Sequence, residues 1–325
     1  MKAAIQTRYG APDVLQLAEL QKPSPREDEV LVKVHATTVS VVDCTFRKGD
    51  SYMARMFTGL LRPKFPIQGG DFAGEIEAVG KGVTRFQVGD KVFGATKEGF
   101  GAYTEYICLS EDASIVLKPK NLTYEEAAAI PYGALTALPF LRDEAQLEAG
   151  QKILINGASG SVGIMAVQLA KYYGAEVTGV CSSANVSFVR EHGADKVVDY
   201  TKEDFTKSGE LYDVIFDSPG KSSFGRSQRS LKKGGIYLTA VLSLGILFRI
   251  LWTSLFGSKR AKIAFTGLRE QEDKIKDLHF LRDLAEQEII KPSIDKQFSL
   301  EQISSAHRYV DTGRKQGNVV IQVAA

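Results

Sequence analysis

The glycine-rich turn at residues 157–163 limits the possible folds of this chain more than any other stretch. It reads Gly-Ala-Ser-Gly-Ser-Val-Gly and lies between two short apolar runs, at residues 153–155 and 177–180. An amphipathic segment that includes Ile164 and Leu169 follows the turn. A strand, a glycine turn, a helix and a second strand at this spacing predict one βαβ crossover.

Each glycine of the turn has a separate role in such a crossover. Gly157 and Gly160 permit a tight turn and let a pyrophosphate approach the backbone, whereas Gly163 lets the helix pack close to the sheet. The N–H groups at the helix N-terminus favour phosphate. The alternative is a glycine turn that binds no ligand. We predict that the whole turn binds a dinucleotide, through Gly157, Ala158, Ser159, Gly160, Ser161, Val162 and Gly163.

Composition and charge exclude several classes of protein. The chain has 325 residues, enough for about two domains, and its 41 basic and 39 acidic residues give no reason to expect nucleic acid as a partner. The three cysteines form no CxxC pair, which excludes a zinc ribbon, and so sparse a set is typical of a reducing compartment. The N-terminus lacks the apolar region of a signal peptide, and we expect a cytoplasmic protein.

The pattern of secondary structure changes near residue 122. Before it, short β-rich runs predict a small barrel or sandwich, with one helix near residues 41–48. After it, a capping box at Thr123 and Glu126 begins an alternation of helices and strands that is typical of a doubly wound parallel sheet. A last strand at 318–323 is expected to rejoin the N-terminal domain. Other predicted strands include residues 72–80, 88–93, 102–107, 196–199, 213–217 and 235–240.

The apolar stretch at residues 241–256 stands apart, because Arg249 is its only charged residue. It is too short to span a bilayer, which takes roughly 20 apolar residues. Three alternatives remain open: a flap over the active site or a contact between subunits, which we favour; ordinary core; and a patch that touches membrane lipid. Membrane contact is not expected, and we predict that the protein does not float with liposomes.

Several further motifs occur in a fixed order along the chain. They are Val41-Val42-Asp43, Arg47-Lys48-Gly49, the run from Gly69 to Gly74, Val79-Gly80, the run from Val88 to Val92, the run from Gly101 to Tyr106, Leu135-Thr136-Ala137 and the run from Asn156 to Gly163. Together they resemble the medium-chain dehydrogenase/reductase superfamily, and within it the zinc-free quinone oxidoreductase branch. The resemblance covers nearly the whole chain.

The resemblance implies an α/β fold with two domains. A GroES-like β-barrel catalytic domain would comprise residues 1–122 and be completed by residues 290–325. A Rossmann domain, a doubly wound parallel sheet at residues 123–289, would lie between these segments in sequence, with the active site in the cleft. The resemblance also implies a homodimer.

Two departures from the zinc-dependent relatives affect the predicted chemistry. Those relatives place a cysteine ligand where this chain has Ser40 and a histidine ligand where it has Gly70. Neither residue supplies the donor that tetrahedral zinc takes, and we expect no metal. Oxidation of a simple alcohol then loses its Lewis acid, whereas hydride addition to a quinone or an activated C=C needs only a hydrogen-bond donor and a proton.

The end of the second Rossmann strand indicates which nicotinamide cofactor binds. NAD-preferring sites carry Asp or Glu there, but this chain has Ser182 and Ser183, which can donate to a 2′-phosphate. Tyr200 matches a family tyrosine near that phosphate, whereas Ala184 stands where NADPH-binding relatives commonly have Lys or Arg. We predict NADPH over NADH. Alternatively, the serines only cap the helix expected from Asn185.

On the substrate side, the resemblance points to Ser40, Asp43 and Tyr52 as catalytic residues, and to Thr136 as a neighbour of the nicotinamide carboxamide. Tyr52 is the best candidate to donate to a carbonyl oxygen or relay a proton; alternatively it is an aromatic residue packed in a loop. Asp43 is expected to orient its neighbours rather than to act as a base.

The leading hypothesis is an NADPH-dependent reductase of small electrophiles, namely quinones, 2-alkenals or related enones. One alternative is a regulatory or interaction protein that binds NADPH with little catalysis. Another is a reductase or alcohol dehydrogenase for a different carbonyl substrate, because a fold does not fix a function.

Overall fold

A computed structural model of the chain describes residues 1–50, 52–96 and 99–323, with the side chains of residues 52–54 outside that description. The strands are β1 (Lys2–Gln6), β2 (Leu15–Glu19), β3 (Glu29–Val39), β4 (Asp71–Val79), β5 (Lys91–Ala95), β6 (Tyr106–Ser110), β7 (Ser114–Leu117), β8 (Lys152–Asn156), β9 (Glu176–Cys181), β10 (Lys196–Asp199), β11 (Tyr212–Asp217), β12 (Leu231–Thr239), β13 (Arg260–Lys262), β14 (Ile294–Ser299) and β15 (Asn318–Gln322). The α-helices are α1 (Val41–Lys48), α2 (Tyr52–Thr58), α3 (Tyr124–Ala128), α4 (Pro131–Pro139), α5 (Ser161–Tyr172), α6 (Val186–Glu191), α7 (Phe224–Ser227), α8 (Leu244–Phe256), α9 (Gln271–Glu286) and α10 (Ile303–Asp311).

These elements form two compact units. The first, called the N-terminal unit below, comprises Met1–Tyr132 and Arg269–Ala325. The second, called the central unit, comprises Gly133–Leu268. The C-terminal segment therefore belongs to the same unit as the N-terminal part of the chain. The domain boundaries given from the sequence, 1–122 with 290–325 and 123–289, stay a prediction.

A six-stranded parallel sheet forms the middle of the central unit. Its strand order is β10-β9-β8-β11-β12-β13, and every neighbouring pair is parallel. This is the order of a doubly wound Rossmann sheet, in which ligands bind at the carboxyl ends of the strands beside the switch point between β8 and β11. The parallel sheet predicted from the glycine turn is confirmed.

A larger and mostly antiparallel sheet forms the N-terminal unit. Its order is β14-β15-β3-β4-β5-β7, with β6 also paired to β3. Strand β15 runs antiparallel to β3, so the last strand joins the N-terminal part of the chain as predicted. Alternate residues of β3 and β4, among them Val32, Val34, Phe72 and Ile76, point into one buried core.

Local signals predicted helix starts better than strand limits. The capping box of Thr123 and Glu126 is formed, and α1 spans the predicted residues 41–48. The strand predicted at 102–107 has the wrong limits, because β6 begins only at Tyr106 and continues to Ser110. Helix α9 has no counterpart in the sequence prediction, because charged residues interrupt its apolar periodicity.

The apolar stretch at residues 241–256 forms helix α8. Ile246 and Thr253 are buried, but the side chains of Leu244, Phe248 and Leu255 are exposed. The alternative of ordinary core is therefore wrong for most of this stretch. None of the helices within the described residues combines the length and the apolar character that crossing a bilayer takes.

Candidate active site

The glycine turn connects β8 to α5 at the carboxyl end of the central unit's sheet. Gly157 has a φ of +74°, and a Cβ on it would lie 2.7 Å from Cδ of Pro219. A Cβ on Gly163 would lie 2.1 Å from the carbonyl oxygen of Gly157, so only glycine lets the helix approach the turn this closely. Gly160 is the N-cap of α5 and has no side chain to accept from the first-turn N–H groups.

A buried carboxylate, Asp217 at the end of β11, fixes the loop that faces this turn. Its oxygens accept hydrogen bonds from Asn156 Nδ2 (2.8 Å), from the backbone N–H of Ser222 (2.7 Å) and from the hydroxyl of Tyr237 (2.9 Å). The loop so held carries Pro219 beside Gly157. Sequence reasoning missed Asp217, although its place at the carboxyl end of a parallel strand was a usable signal.

The segment after β9 is tied back to the same turn. Asn185 Nδ2 donates to Ser159 Oγ at 2.9 Å. Ser182 precedes a short 3₁₀ turn with no side-chain capping bond, and Ser183 Oγ donates to Asp199. The alternative that these serines only cap a helix is therefore wrong.

Asp199 corrects the prediction in a second respect. No acid ends β9 itself, but Asp199 ends the neighbouring strand β10 opposite Cys181, which brings its carboxylate to Ser183. Thr201 also donates to it, from its backbone N–H (3.0 Å) and its hydroxyl (2.7 Å). These hydrogen bonds, first that from Ser183 and then those from Thr201, lower the pKa of Asp199 to about 2. This contact could not be predicted from local sequence, because the register between β9 and β10 decides it.

Two other predicted cofactor residues lie in the central unit. Tyr200 follows Asp199, its ring is exposed, and its backbone N–H donates to the Cys181 carbonyl at 3.0 Å. Thr136 is on α4, one turn after Gly133. A Cβ on Gly133 would lie only 2.5 Å from the carbonyl oxygen of Ser161. Helix α4 thus packs closely against the start of α5 at Gly133, and the role of Thr136 stays a prediction.

The residues of the central unit fit a dinucleotide. In the turn at 157–163, Gly157 and Gly163 leave no room for a Cβ, and a helix N-terminus without a capping side chain follows at Gly160. The hydroxyls of Ser182 and Ser183 lie on the adjoining strand end, where an adenosine ribose binds in this fold. These predicted residues are brought together at one end of the sheet.

The N-terminal unit holds the predicted substrate residues Ser40 and Asp43. Ser40 is the N-cap of α1 and forms a capping box with Asp43, whose carboxylate accepts from the backbone N–H (2.7 Å) and the hydroxyl (2.6 Å) of Ser40. Burial raises the pKa of Asp43 to about 6, against these hydrogen bonds, which lower it. The geometry supports an orienting role for Asp43, as predicted from the family resemblance.

A second buried carboxylate, Asp71, lies at the start of β4. It accepts from the Thr38 hydroxyl (3.0 Å) and from the backbone N–H of Tyr132 (3.2 Å). Burial first, and then the negative charge of Asp43, raises the pKa of Asp71 to about 8. The two carboxyl groups of this unit therefore do not both ionise readily at neutral pH.

Tyr52 begins α2, but its side chain lies outside the described residues, so its proposed role stays a prediction. Gly70 stands in place of a histidine ligand. A Cβ on Gly70 would lie 3.3 Å from the Cα of Gly99. Among the residues that the structure describes, no group of three or more His, Cys, Asp or Glu is placed to hold a metal ion.

The chain was compared with known proteins. Residues 26–120 match the model of the alcohol dehydrogenase GroES-like domain, and residues 192–321 match the model of the zinc-binding dehydrogenase family. The chain is 34% identical to 2-methylene-furan-3-one reductase of Solanum lycopersicum, over 99% of this chain and 79% of that protein. It is 32% identical to the chloroplastic NADPH-dependent alkenal/one oxidoreductase of Arabidopsis thaliana, with the same two coverages. The solved structure of the quinone oxidoreductase from Coxiella burnetii matches with a TM-score of 0.87 and 30% identity, over 100% of this chain and 99% of that one.

A Rossmann sheet with a glycine turn, together with a GroES-like unit, defines an oxidoreductase that uses a nicotinamide cofactor. The chain belongs to the medium-chain dehydrogenase/reductase superfamily, in its zinc-free quinone oxidoreductase branch. The predicted family and fold class are confirmed.

Proposed function

We propose that this protein reduces quinones or α,β-unsaturated carbonyl compounds by hydride transfer from NADPH. The observation that carries the proposal is the 34% identity, over 99% of the chain, to a reductase named for 2-methylene-furan-3-one, which is a conjugated enone. The names of the Arabidopsis and Coxiella relatives specify alkenals, alkenones and quinones. All of these acceptors carry an electron-poor C=C conjugated with a carbonyl group.

The residues of the N-terminal unit would serve the oxygen end of such an acceptor. When bound, the nicotinamide supplies the hydride, and the negative charge that develops on the carbonyl oxygen needs a donor and then a proton. The Ser40 hydroxyl already donates a hydrogen bond to Asp43. We therefore assign the role of hydrogen-bond donor to the substrate to Tyr52, and an orienting role to Ser40 and Asp43.

NADPH is the cofactor that we favour. Ser182 and Ser183, rather than an acid, follow the end of β9, and a 32%-identical relative is named as NADPH-dependent. The negative charge of Asp199 opposes binding of a 2′-phosphate. The Asp199 carboxylate, however, accepts hydrogen bonds from the hydroxyls of Ser183 and Thr201. Cofactor choice therefore depends on how far these donors offset the charge of Asp199.

We also propose a homodimer in the cytoplasm, on the resemblance and on the sparse cysteines. The alkenal/one oxidoreductase of Arabidopsis is named as chloroplastic, so relatives also occur in other compartments. Sedimentation velocity of the purified chain tests the dimer, and fractionation of cells that produce it tests the compartment.

The activity is tested by following NADPH oxidation with a quinone, a short 2-alkenal and a saturated aldehyde. We expect turnover of the first two acceptors and little of the third, with the saturated aldehyde as the product of the 2-alkenal. Formation of the allylic alcohol instead would mean that the carbonyl group is reduced. Tight binding of NADPH without turnover of any acceptor would favour the regulatory alternative.

A further inference from the structure

Helix α8 carries an apolar stripe that faces away from its own unit. Leu244, Phe248, Leu251 and Leu255 follow one another at spacings of four, three and four residues, which places them on one face of the helix. Their exposed fractions are 83%, 61%, 62% and 66%, and Trp252 beside them is 53% exposed. This set of five residues is called the α8 stripe below.

The opposite face of α8 is already used. Ile246, Ile250 and Thr253 pack toward the sheet, and the Thr253 hydroxyl accepts from the backbone N–H of Ala261 at 3.0 Å, which fixes the helix against β13. The α8 stripe therefore cannot turn inward without breaking these contacts. A helix that is apolar on both faces is stable only when both faces are covered.

The segment of chain that carries the stripe has charges of one sign. Residues 218–269 contain no Asp or Glu, and their basic residues are Lys221, Arg226, Arg229, Lys232, Lys233, Arg249, Lys259, Arg260, Lys262 and Arg269. Arg249 lies on α8, and Lys259 and Arg260 follow its end. Within the described residues, none of these three has an ion pair with a carboxylate, and Lys259 donates only to the Gln228 carbonyl.

A groove of about 380 Å³ adjoins the stripe and combines the same two properties. Leu247, Ile250 and Phe265 supply apolar walls. Arg260 also lines the groove, together with the ion pair of Lys262 and Glu144 (3.5 Å). Apolar side chains beside cations that have no carboxylate partner in the described part of the chain, here Arg249, Lys259 and Arg260, match the boundary between acyl chains and anionic headgroups. A second copy packed across the stripe by twofold symmetry would instead bring the like charges of the two copies together.

We propose that the α8 stripe docks the protein on the surface of anionic lipid membranes, with the leucines, Phe248 and Trp252 in the acyl boundary and the cations at the headgroups. The helix has 13 residues, about 20 Å at 1.5 Å per residue, so it lies in the interface and does not cross it. This reverses the expectation from the sequence, which ranked lipid contact last. The exposure of the stripe and the charge of residues 218–269 are the reasons. The proposal does not depend on the proposed reaction.

The single tryptophan of the chain makes the test direct, because Trp252 lies in the stripe. The full chain is mixed with vesicles of phosphatidylcholine alone or of phosphatidylcholine and phosphatidylglycerol. We expect co-sedimentation with the anionic vesicles, a shift of tryptophan emission to shorter wavelength, and about tenfold weaker binding to neutral vesicles or in high salt.

Matched variants distinguish binding through the α8 stripe from non-specific binding to vesicles. Leu251→Asp should lower binding to anionic vesicles about tenfold or more, whereas Leu61→Asp, at a leucine of the N-terminal unit that is 93% exposed, should leave it unchanged. Arg260→Glu should weaken the binding, and Lys81→Glu at an exposed turn should not. All four positions are exposed, and a thermal melt confirms that each variant is folded.

Three results would overturn the proposal. The first is no binding to either vesicle, or full binding by the Leu251→Asp variant. The second is a short-wavelength tryptophan emission of the protein without lipid, which moves to longer wavelength when the protein is diluted, together with a smaller species for Leu251→Asp than for the wild type in sedimentation velocity. The stripe would then be a contact between copies. The third is a shift of emission produced by NADPH alone, which would make α8 a flap.

Discussion

Each unit holds an acidic side chain close to a predicted site residue, Asp71 near Asp43 and Asp199 at Ser183, and the two acids behave in opposite ways. Asp71 of the N-terminal unit is buried, accepts hydrogen bonds from the Thr38 hydroxyl and the Tyr132 backbone N–H, and has a pKa raised to about 8. Asp199 of the central unit accepts from Ser183 and twice from Thr201, and has a pKa lowered to about 2.

The difference shows that burial alone does not decide the charge of a carboxyl group. Both residues expose little surface, 6% and 8%, but burial is the largest influence on the pKa of Asp71, whereas for Asp199 hydrogen bonds from Ser183 and Thr201 outweigh it. Asp71 has the charge of Asp43 nearby, whereas Asp199 faces donors alone and Lys202. The N-terminal unit thus favours a carboxyl group that keeps its proton, and the central unit presents a carboxylate to whatever binds beside Ser183.

The largest expected effect is that of Asp71→Asn on stability at high pH. The folded protein keeps a proton on Asp71 that the unfolded chain releases above pH 4, so the stability of the wild type falls as pH rises from about 4 to about 8. Asn cannot ionise and removes this fall. We expect the variant to gain about 4 kcal/mol relative to the wild type at pH 8 and little at pH 4. Urea unfolding across this range measures the gain.

Asp112→Asn serves as the control for that experiment, since Asp112 is an exposed residue in a turn. The free energy of unfolding of Asp112→Asn should differ from that of the wild type by the same amount at every pH in this range, whereas the difference for Asp71→Asn should grow with pH. Parallel pH curves for Asp71→Asn and the wild type would show that Asp71 is ionised throughout, contrary to the comparison of the two units.

Asp217→Ala is expected to cost about 3 kcal/mol of stability, because it leaves buried donors of Asn156, Ser222 and Tyr237 unpaired. It should also weaken cofactor binding, since the loop with Pro219 loses its anchor. Asp213→Ala, on the same strand but only partly buried, should cost about 1 kcal/mol and leave binding unchanged. Chemical unfolding and titration of NADPH measure both effects.

Asp199→Asn tests whether the charge of Asp199 acts on the cofactor. Removing the negative charge beside Ser183 should raise the ratio of kcat/KM for NADPH to that for NADH about tenfold. The dissociation constants of the two cofactors should change in the same direction. Asp204→Asn is the matched control, because hydrogen bonds from Thr206 and Arg226 likewise lower the pKa of Asp204 to about 2. An unchanged ratio in Asp199→Asn would remove Asp199 from the cofactor site.

The smallest expected effect is that of Ser40→Ala. Loss of the capping bond to α1 should cost about 1 kcal/mol of stability, as should Thr123→Ala at the capping box of α3. Only Ser40→Ala should also lower kcat for an enone, because Ser40 orients the proposed substrate site. Equal activity of the two variants would leave Ser40 a helix cap and nothing more.

Much of the site could be predicted from short stretches of sequence. The turn at 157–163 and the capping box at Thr123 depend on residues at most six positions apart, and both are formed. The contact of Ser183 with Asp199 could not be predicted in this way. It joins residues 16 positions apart through the parallel register of β9 and β10.

The sequence by itself determined the family, the parallel sheet and the glycine cradle, because each depends on local steric and hydrogen-bonding requirements that few residue types satisfy. Only the tertiary structure decided which acid meets Ser183, which carboxyl group keeps its proton, and which face of α8 is left exposed. These properties depend on what lies across a strand register or against a helix face, and residues distant in sequence supply those neighbours.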